Sequence, residues 1–150
     1  MTRAILWDID GVLADTAEAH YRSWLILGAE RGWQVTRQQF DECFGMANPE
    51  ILRRWLGEGV SAEEIADLAR RKEVLYREEV VKDLRPAEGV LHWLAWARAH
   101  DVRQVVASSG EMANIAAVIG ALGIANHFDA LISGAFLPRS KPDPALFLRA

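Results

Sequence analysis

Three short segments along the chain have the apolar pattern of strands in a parallel β-sheet. Ala4–Trp7 is apolar at every position, as expected of a strand that helices cover on both faces, and segments 103–107 and, more weakly, 128–133 follow. Apolar residues at helical spacing predict helices at 89–99 and Met112–Leu122, one before and one after the second strand. This alternation predicts an α/β fold, with a doubly wound, Rossmann-like parallel sheet.

The stretch between the first two strands is too long for a single crossover and carries four helix-start signals. They are capping residues, two of them followed three positions later by glutamate and one followed by proline: Asp15, Thr36, Asn48 and Ser61. Four helices within about 70 residues can bury a small core of their own. We therefore expect an all-helical cap at residues 16–84, inserted into an α/β core made of residues 1–15 and 85–150.

Composition narrows the class of protein. Hydrophobic residues make up 51% of the chain and charged residues 25%, which is typical of a globular protein. The formal charge of -4, without a basic stripe, argues against nucleic acid and anionic membranes as partners. The single cysteine fits a reducing compartment, and neither a signal peptide nor a membrane span is evident. We expect a cytoplasmic protein.

Two aspartates directly after the first strand carry the strongest chemical signal. Open α/β sheets bind ligands beyond the carboxyl ends of their strands, where Asp8 and Asp10 lie. One carboxylate can attack a substrate or hold a cation while the other moves a proton. The alternatives are a solvated acidic turn and a calcium-binding loop, but such a loop requires its glycine at the sixth position, and Gly11 is the fourth residue counted from Asp8.

Segment 8–16, DIDGVLADT, resembles motif I of the haloacid dehalogenase superfamily of aspartyl-phosphate phosphatases and mutases. Ser108, after the second strand, is similar to the motif II serine, and Lys141, before a proline, to the motif III lysine. The run that begins at Asp15 and includes His20 resembles the β-phosphoglucomutase-like branch of that superfamily, which has a helical cap.

The resemblance implies a role for each matched residue. Asp8 forms a phosphoaspartate, Asp10 acts as general acid and base, and Mg²⁺ binds the Asp8 carboxylate and the Asp10 main-chain carbonyl. Ser108, with Ser109 beside it, and Lys141 bind the phosphate. Elementary chemistry agrees, since the anionic oxygens of a phosphate monoester repel a nucleophile until positive charge surrounds them. Taken alone, Ser108 also suits a helix cap and Lys141 an exposed loop.

Three cap residues are candidates for substrate recognition. By resemblance, Lys72 falls where the mutases carry a cap lysine, while His20 and Asn48 lie on cap segments of the same branch. The alternatives are a partly buried helix histidine for His20 and a solvated face for Lys72, which follows two arginines. Those mutases also have a cap arginine for a second phosphate, where this chain has Ala47 and Asn48. The difference favours hydrolysis over phosphate transfer.

The sequence thus predicts a Mg²⁺-dependent phosphatase of a small phosphorylated metabolite, such as a sugar phosphate. The alternatives are a sugar phosphomutase, a haloacid dehalogenase and a non-catalytic phospho-binding or signalling module. The acidic pair of motif IV, which completes the metal site in the superfamily, has no counterpart before Ala150. We expect the chain to be a portion of a longer polypeptide that binds Mg²⁺ poorly, turns over slowly and self-associates through its first strand, left at a sheet edge.

Overall fold

A computed structural model describes residues 3–139 and 141–150, which form two compact units. One unit contains the described residues up to Thr16 together with those from Val80 onward, and the other is Ala17–Glu79. The second unit lies within the expected cap, residues 16–84, whose assignment as a separate domain stays a prediction. None of the helices in the described ranges is both long enough and apolar enough to cross a membrane.

The first unit contains a parallel three-stranded sheet, as predicted. Its strands are β1 (Ala4–Trp7), β2 (Arg103–Ser108) and β3 (Ala130–Ser133), in the order β1-β2-β3. β3 begins two residues later than the sequence predicts, because the Phe128 amide donates to the Ala125 carbonyl of a preceding 3₁₀ turn. The parallel sheet and its flanking helices confirm the α/β prediction.

Seven α-helices occupy the described ranges. They are α1 (Ala17–Arg31), α2 (Arg37–Asp41), α3 (Asn48–Leu56), α4 (Ala62–Asp83), α5 (Val90–Ala99), α6 (Met112–Leu122) and α7 (Ala145–Arg149). The four helices predicted between the first two strands are therefore present. α5 lies before β2 in the chain and α6 after it. The spacing of their apolar residues predicts both helices.

The expectation that β1 is buried on both faces is wrong for the residues that the structure describes. Within them β1 pairs only with β2, and its positions alternate between exposed and half-buried. Leu6 keeps 37% of its surface exposed. The apolar pattern alone predicts burial, whereas the expectation that this strand is left at a sheet edge agrees with its pairing to β2 alone in the described residues.

Asp129 fastens β2 to the beginning of β3. Its carboxylate accepts a hydrogen bond from the Gln104 amide at 2.8 Å and pairs with Arg103 at 2.5 Å. The Gln104 amide, followed by the Arg103 guanidinium, holds the pKa of the Asp129 carboxyl below its usual value, because both donors favour the charged form. In the register of these two strands, Ser108 lies opposite Ser133.

The second unit has an apolar core of its own. Trp24, the largest side chain that is fully buried, packs edge-on against Trp55 with ring centroids 5.1 Å apart. The other buried members of this core are Leu27, Val35, Phe40, Cys43, Ile51, Leu52, Ile65, Leu68 and Leu75. Helices α1 to α4 all contribute to this core or border it, so these helices stabilise one another by burying apolar surface.

Two of the predicted helix caps in this unit have different outcomes. Thr36 caps α2 as predicted, with a capping box in which Thr36 and Gln39 bond to each other's main-chain amides. Asn48 is not the N-cap of α3; Ala47 holds that position, and the Asn48 side chain donates to Glu73 at 2.5 Å instead. A charged acceptor distant in sequence competes successfully with the local cap.

Candidate active site

Asp8 follows β1 directly and begins a tight turn. Its Oδ1 accepts a hydrogen bond from the Ile9 amide at 2.9 Å, which fixes the carboxylate relative to the main chain. The Ile9 carbonyl then accepts from the amides of residues 12, 13 and 14, so the chain folds back on itself. Gly11 has φ of 73°, a left-handed conformation that glycine adopts without strain. The turn therefore places both aspartates at the carboxyl end of β1.

Asp10 is held by a residue that the sequence analysis did not single out for the site. The Thr16 hydroxyl donates to Asp10 Oδ1 at 2.5 Å, and Thr16 itself is fully buried. Asp10 as a residue is exposed, and the Thr16 hydroxyl anchors one of its carboxyl oxygens. This suits a group that exchanges protons with a substrate or with water, since such a group must be both oriented and reachable.

Lys141 lies against Asp8. Its ammonium forms an ion pair with Asp8 Oδ2, although the two residues are far apart in sequence. The two side chains remain 27% and 34% exposed respectively, so a ligand of modest size can reach both groups. The contact places a fixed positive charge next to the candidate nucleophile, which is the requirement for approach of a phosphate.

Residues 108–110, here called the serine loop, begin at the last residue of β2 and lie at the same edge of the sheet. β1 and β2 are in register with Trp7 beside Val106, so Asp8 and the serine loop emerge from neighbouring strand ends. The Gly110 amide donates to Ser108 Oγ at 3.1 Å. A serine hydroxyl that accepts one hydrogen bond can still donate its own hydrogen to a phosphate oxygen. Ser109 is exposed and Ser108 is buried.

The oxygen atoms around Asp8 and Asp10 are chemically suited to Mg²⁺. Among the residues that the structure describes, no group of three or more histidine, cysteine, aspartate or glutamate side chains could hold a metal ion. Mg²⁺ typically binds one or two carboxylates and keeps several water ligands, so two aspartates are compatible with it. The donor set fits a magnesium ion with few protein ligands.

The three cap candidates lie in one cluster within the second unit. Lys72 Nζ lies 2.7 Å from His20 Nδ1 and 3.0 Å from Glu73 Oε1, and Asn48 donates to that same glutamate. His20 stacks on Tyr76 with ring centroids 3.9 Å apart. Lys72 is only 2% exposed, so a solvated face is the wrong interpretation of this residue.

The family of the chain follows from comparison with known proteins. Residues 5–150 match the family model of haloacid dehalogenase-like hydrolases. The chain belongs to this family. The match confirms the resemblance on which the sequence analysis depends, and it confirms the predicted class of enzyme, a haloacid dehalogenase-like hydrolase.

Individual relatives of this hydrolase are phosphatases and phosphomutases. The chain is 27% identical to a β-phosphoglucomutase of Bacillus subtilis, covering 99% of this chain and 68% of the relative. It is 28% identical to a phosphoglycolate phosphatase of Nitrosospira multiformis, covering 99% of this chain and 67% of the relative. A crystal structure of a CbbY variant from Rhodobacter sphaeroides, in complex with xylulose-1,5-bisphosphate, has a TM-score of 0.86 at 26% identity. That comparison covers 100% of this chain and 71% of the CbbY chain.

Three polar residues of this hydrolase were not among the sequence-predicted site residues. Thr16 anchors Asp10, Glu73 bonds to both Lys72 and Asn48, and Ser133 bonds to the serine loop. Thr16 belongs to the motif I segment, so its position in the sequence was available as a signal. The bonds of Glu73 to Asn48 and of Ser133 to Gly110 have no local signal, because each joins residues far apart in the sequence.

Proposed function

We propose that this hydrolase is a Mg²⁺-dependent phosphatase of small phosphorylated metabolites, acting through a phosphoaspartate on Asp8. The observation that carries the proposal is the pairing of Asp8 with Lys141 at the carboxyl end of β1, beside an anchored Asp10. A nucleophile, a fixed cation and a proton-transfer group are the three parts that covalent phosphoryl transfer requires.

In the first step, an Asp8 oxygen attacks phosphorus and the bond from phosphorus to the ester oxygen breaks. Asp10, in its protonated form, gives its proton to the departing oxygen, which leaves as an alcohol. Thr16 orients Asp10 by donating to its Oδ1, which holds the carboxyl group in place for the proton transfer. The phosphoryl group is then bound to Asp8 as an acyl phosphate.

In the second step, Asp10 takes a proton from water, and the water oxygen attacks the phosphorus of the acyl phosphate. The bond between phosphorus and the Asp8 oxygen breaks, which releases inorganic phosphate and regenerates the Asp8 carboxylate. Asp10 ends protonated, as it began, so the cycle closes. Lys141 and the Ser108 hydroxyl hold the phosphate oxygens in both steps. Mg²⁺ bound by Asp8 and Asp10 would neutralise repulsion between the carboxylate and the phosphate.

The substrate that we propose is a small phosphate monoester with a polar carbon skeleton. The relatives named above include a phosphoglycolate phosphatase, an enzyme named for a small phosphorylated compound. We assign His20, Lys72 and Asn48 to the choice of substrate. Glu73 lies 3.0 Å from Lys72 and offsets its positive charge, which disfavours a second phosphate on this cluster. Hydrolysis of a monophosphate is therefore favoured over transfer between the positions of a bisphosphate.

Metal removal tests the proposal. With a generic aryl phosphate as substrate, addition of EDTA is expected to reduce hydrolysis by at least about 100-fold, because transition-state charge loses a divalent cation. Excess Mg²⁺ should restore the rate, whereas Ca²⁺, which prefers more ligands and longer bonds, should restore little of it. The measurement is the initial rate of phenolate release at matched ionic strength.

The same assay separates this function from its alternatives. Unchanged hydrolysis in EDTA would contradict the magnesium-dependent mechanism. Stoichiometric phosphorylation of Asp8 without turnover would indicate a signalling module instead. Isomerisation of a sugar phosphate that outpaces release of inorganic phosphate would indicate a phosphomutase.

Self-association through β1 is a further expectation for this chain. Exposed edge strands present unpaired main-chain groups, and apolar ones pair readily with other strands. Sedimentation velocity at increasing protein concentration is expected to show association, and Leu6→Lys is expected to reduce it. Leu148→Lys, at an exposed leucine on α7, is the matched control. Equal sedimentation of the wild type and the Leu6 variant would exclude this edge.

A further inference from the structure

The serine loop is held by hydrogen bonds to the end of β3. Ser108 lies opposite Ser133 in the β2–β3 register, and the Gly134 amide donates to the Ser108 carbonyl at 2.8 Å. The Ser133 hydroxyl donates to the Gly110 carbonyl at 2.6 Å and accepts from the Ala135 amide at 3.3 Å. One end of the loop is therefore bonded to Gly134, directly after β3, and the other end to Ser133, the last residue of β3.

Gly110 is the point at which these contacts meet. Its amide donates to Ser108 Oγ, and its carbonyl accepts from Ser133 Oγ. Ser133 thus acts on the peptide that leads from the serine loop toward α6, and through Gly110 on the orientation of the Ser108 hydroxyl. The space is also restricted, since a side chain at Gly134 would lie 3.4 Å from the Ser108 carbonyl oxygen and from Ser109 Cα.

We infer that Ser133 is a positioning residue for phosphate binding, acting on Ser108 through Gly110. The inference rests on the proposed function, because it takes the serine loop as the phosphate-binding segment. Ser133 itself contacts no phosphate in this assignment. The Ser133 hydroxyl holds the Gly110 carbonyl, and this keeps the Gly110 amide in position to donate to Ser108 Oγ. Because Ser108 Oγ accepts that hydrogen bond, its own hydrogen is directed toward the bound phosphate.

The physical reason is preorganisation. A loop that already has its binding conformation loses less conformational entropy when a ligand binds, and it does not reorganise its dipoles during the reaction. A single uncharged hydrogen bond has a modest net effect, so its removal is expected to weaken ligand binding by about 3- to 10-fold rather than to abolish it. The effect should appear in phosphate affinity and in KM more than in the global stability of the chain.

The test is a titration of Ser133→Ala with inorganic phosphate, monitored by the amide chemical shifts of residues 109 and 110 in the full chain. We expect the dissociation constant to rise by about 3- to 10-fold and hydrogen exchange at the Gly110 amide to accelerate. Ser133→Thr keeps the hydroxyl and suits a strand, so it should return the dissociation constant to within about 2-fold of the wild type.

Ser61→Ala is the matched control. Its hydroxyl caps the start of α4 by accepting from the Glu64 amide at 3.1 Å, so the substitution also removes one serine hydrogen bond. It should lower thermal stability without changing the phosphate dissociation constant. If Ser61→Ala weakens phosphate binding as much as Ser133→Ala does, the effect comes from stability and the inference is wrong.

Two readouts distinguish this inference from the proposed function. Turnover of the wild type and Asp8→Asn tests the phosphoaspartate, whereas the phosphate titration tests Ser133. Loss of turnover in Asp8→Asn, together with unchanged phosphate affinity in Ser133→Ala, would overturn the inference alone. The opposite result would overturn the mechanism alone: Asp8→Asn still turns over, while Ser133→Ala binds phosphate more weakly and Ser133→Thr restores the binding. A wild type that binds no phosphate would overturn the inference.

Discussion

Asp8→Asn is expected to lower the hydrolysis of aryl phosphates by at least about 10³-fold, because an amide cannot act as the nucleophile that this mechanism requires. The side chain keeps its shape and can still accept a hydrogen bond from the Ile9 amide, so the turn at the end of β1 should persist. Loss of activity would then come from chemistry rather than from unfolding. Steady-state rates, with thermal unfolding as a check on the fold, are the measurements.

Asp101→Asn is the control with the same chemical change. Asp101 lies in the turn before β2 with φ of 53°, a conformation that asparagine also tolerates. Its activity should match that of the wild type. In the wild type, rapid acid quenching during turnover should trap a phosphoryl group on Asp8, detectable by peptide mass. Retained activity in Asp8→Asn, or trapped phosphate on another residue, would contradict the covalent mechanism.

The features that the sequence predicts well are those with short-range signals. β1 is a continuous apolar run that ends at an acidic pair, and the positions of both aspartates relative to the strand follow from that run. The helices α5 and α6 have apolar residues at helical spacing, and Thr36 has its capping partner three residues away. Each of these signals involves residues that are close in the sequence, so the local structure that it predicts depends little on the rest of the fold.

The features that the sequence does not reveal depend on partners brought together by the fold. Asn48 followed by proline is a good local signal for a helix start, but the Asn48 side chain donates a hydrogen bond to the Glu73 carboxylate instead of capping the helix. The arginines before Lys72 suggest a solvated face, but burial against the rings of Trp24 and Tyr76 places its ammonium 5.5 and 5.1 Å from their centroids. The contacts of Asn48 with Glu73 and of Lys72 with Trp24 join residues of different helices, so they do not follow from spacing. Lys72 and Tyr76, by contrast, lie four residues apart on α4, a spacing that the sequence does show.

The Asp8–Lys141 pair lies between these cases. Sequence order and resemblance place the two residues in one site, but only the fold shows that the ammonium contacts the carboxylate itself. A phosphate that approaches Asp8 must compete with the carboxylate for Lys141 or share its charge. The lysine therefore has two roles in the proposed mechanism: it pairs with the Asp8 carboxylate before binding, and it attracts the phosphate afterwards.

Lys141→Met is expected to lower kcat/KM by about 10²- to 10³-fold, because it removes one preorganised charge from the transition state. The affinity for inorganic phosphate should also fall, since the Asp8 carboxylate then faces the anion without its cation. Arg139→Gln, which removes one positive charge from an exposed ion pair with Asp143, is the control for general electrostatics. It should leave kcat/KM within about 2-fold of the wild type, with a similar dependence on salt. If both variants lose activity equally, net charge near the site is responsible rather than the Lys141 contact. If Lys141→Met retains both its activity and its phosphate affinity, the ion pair with Asp8 has a structural role only.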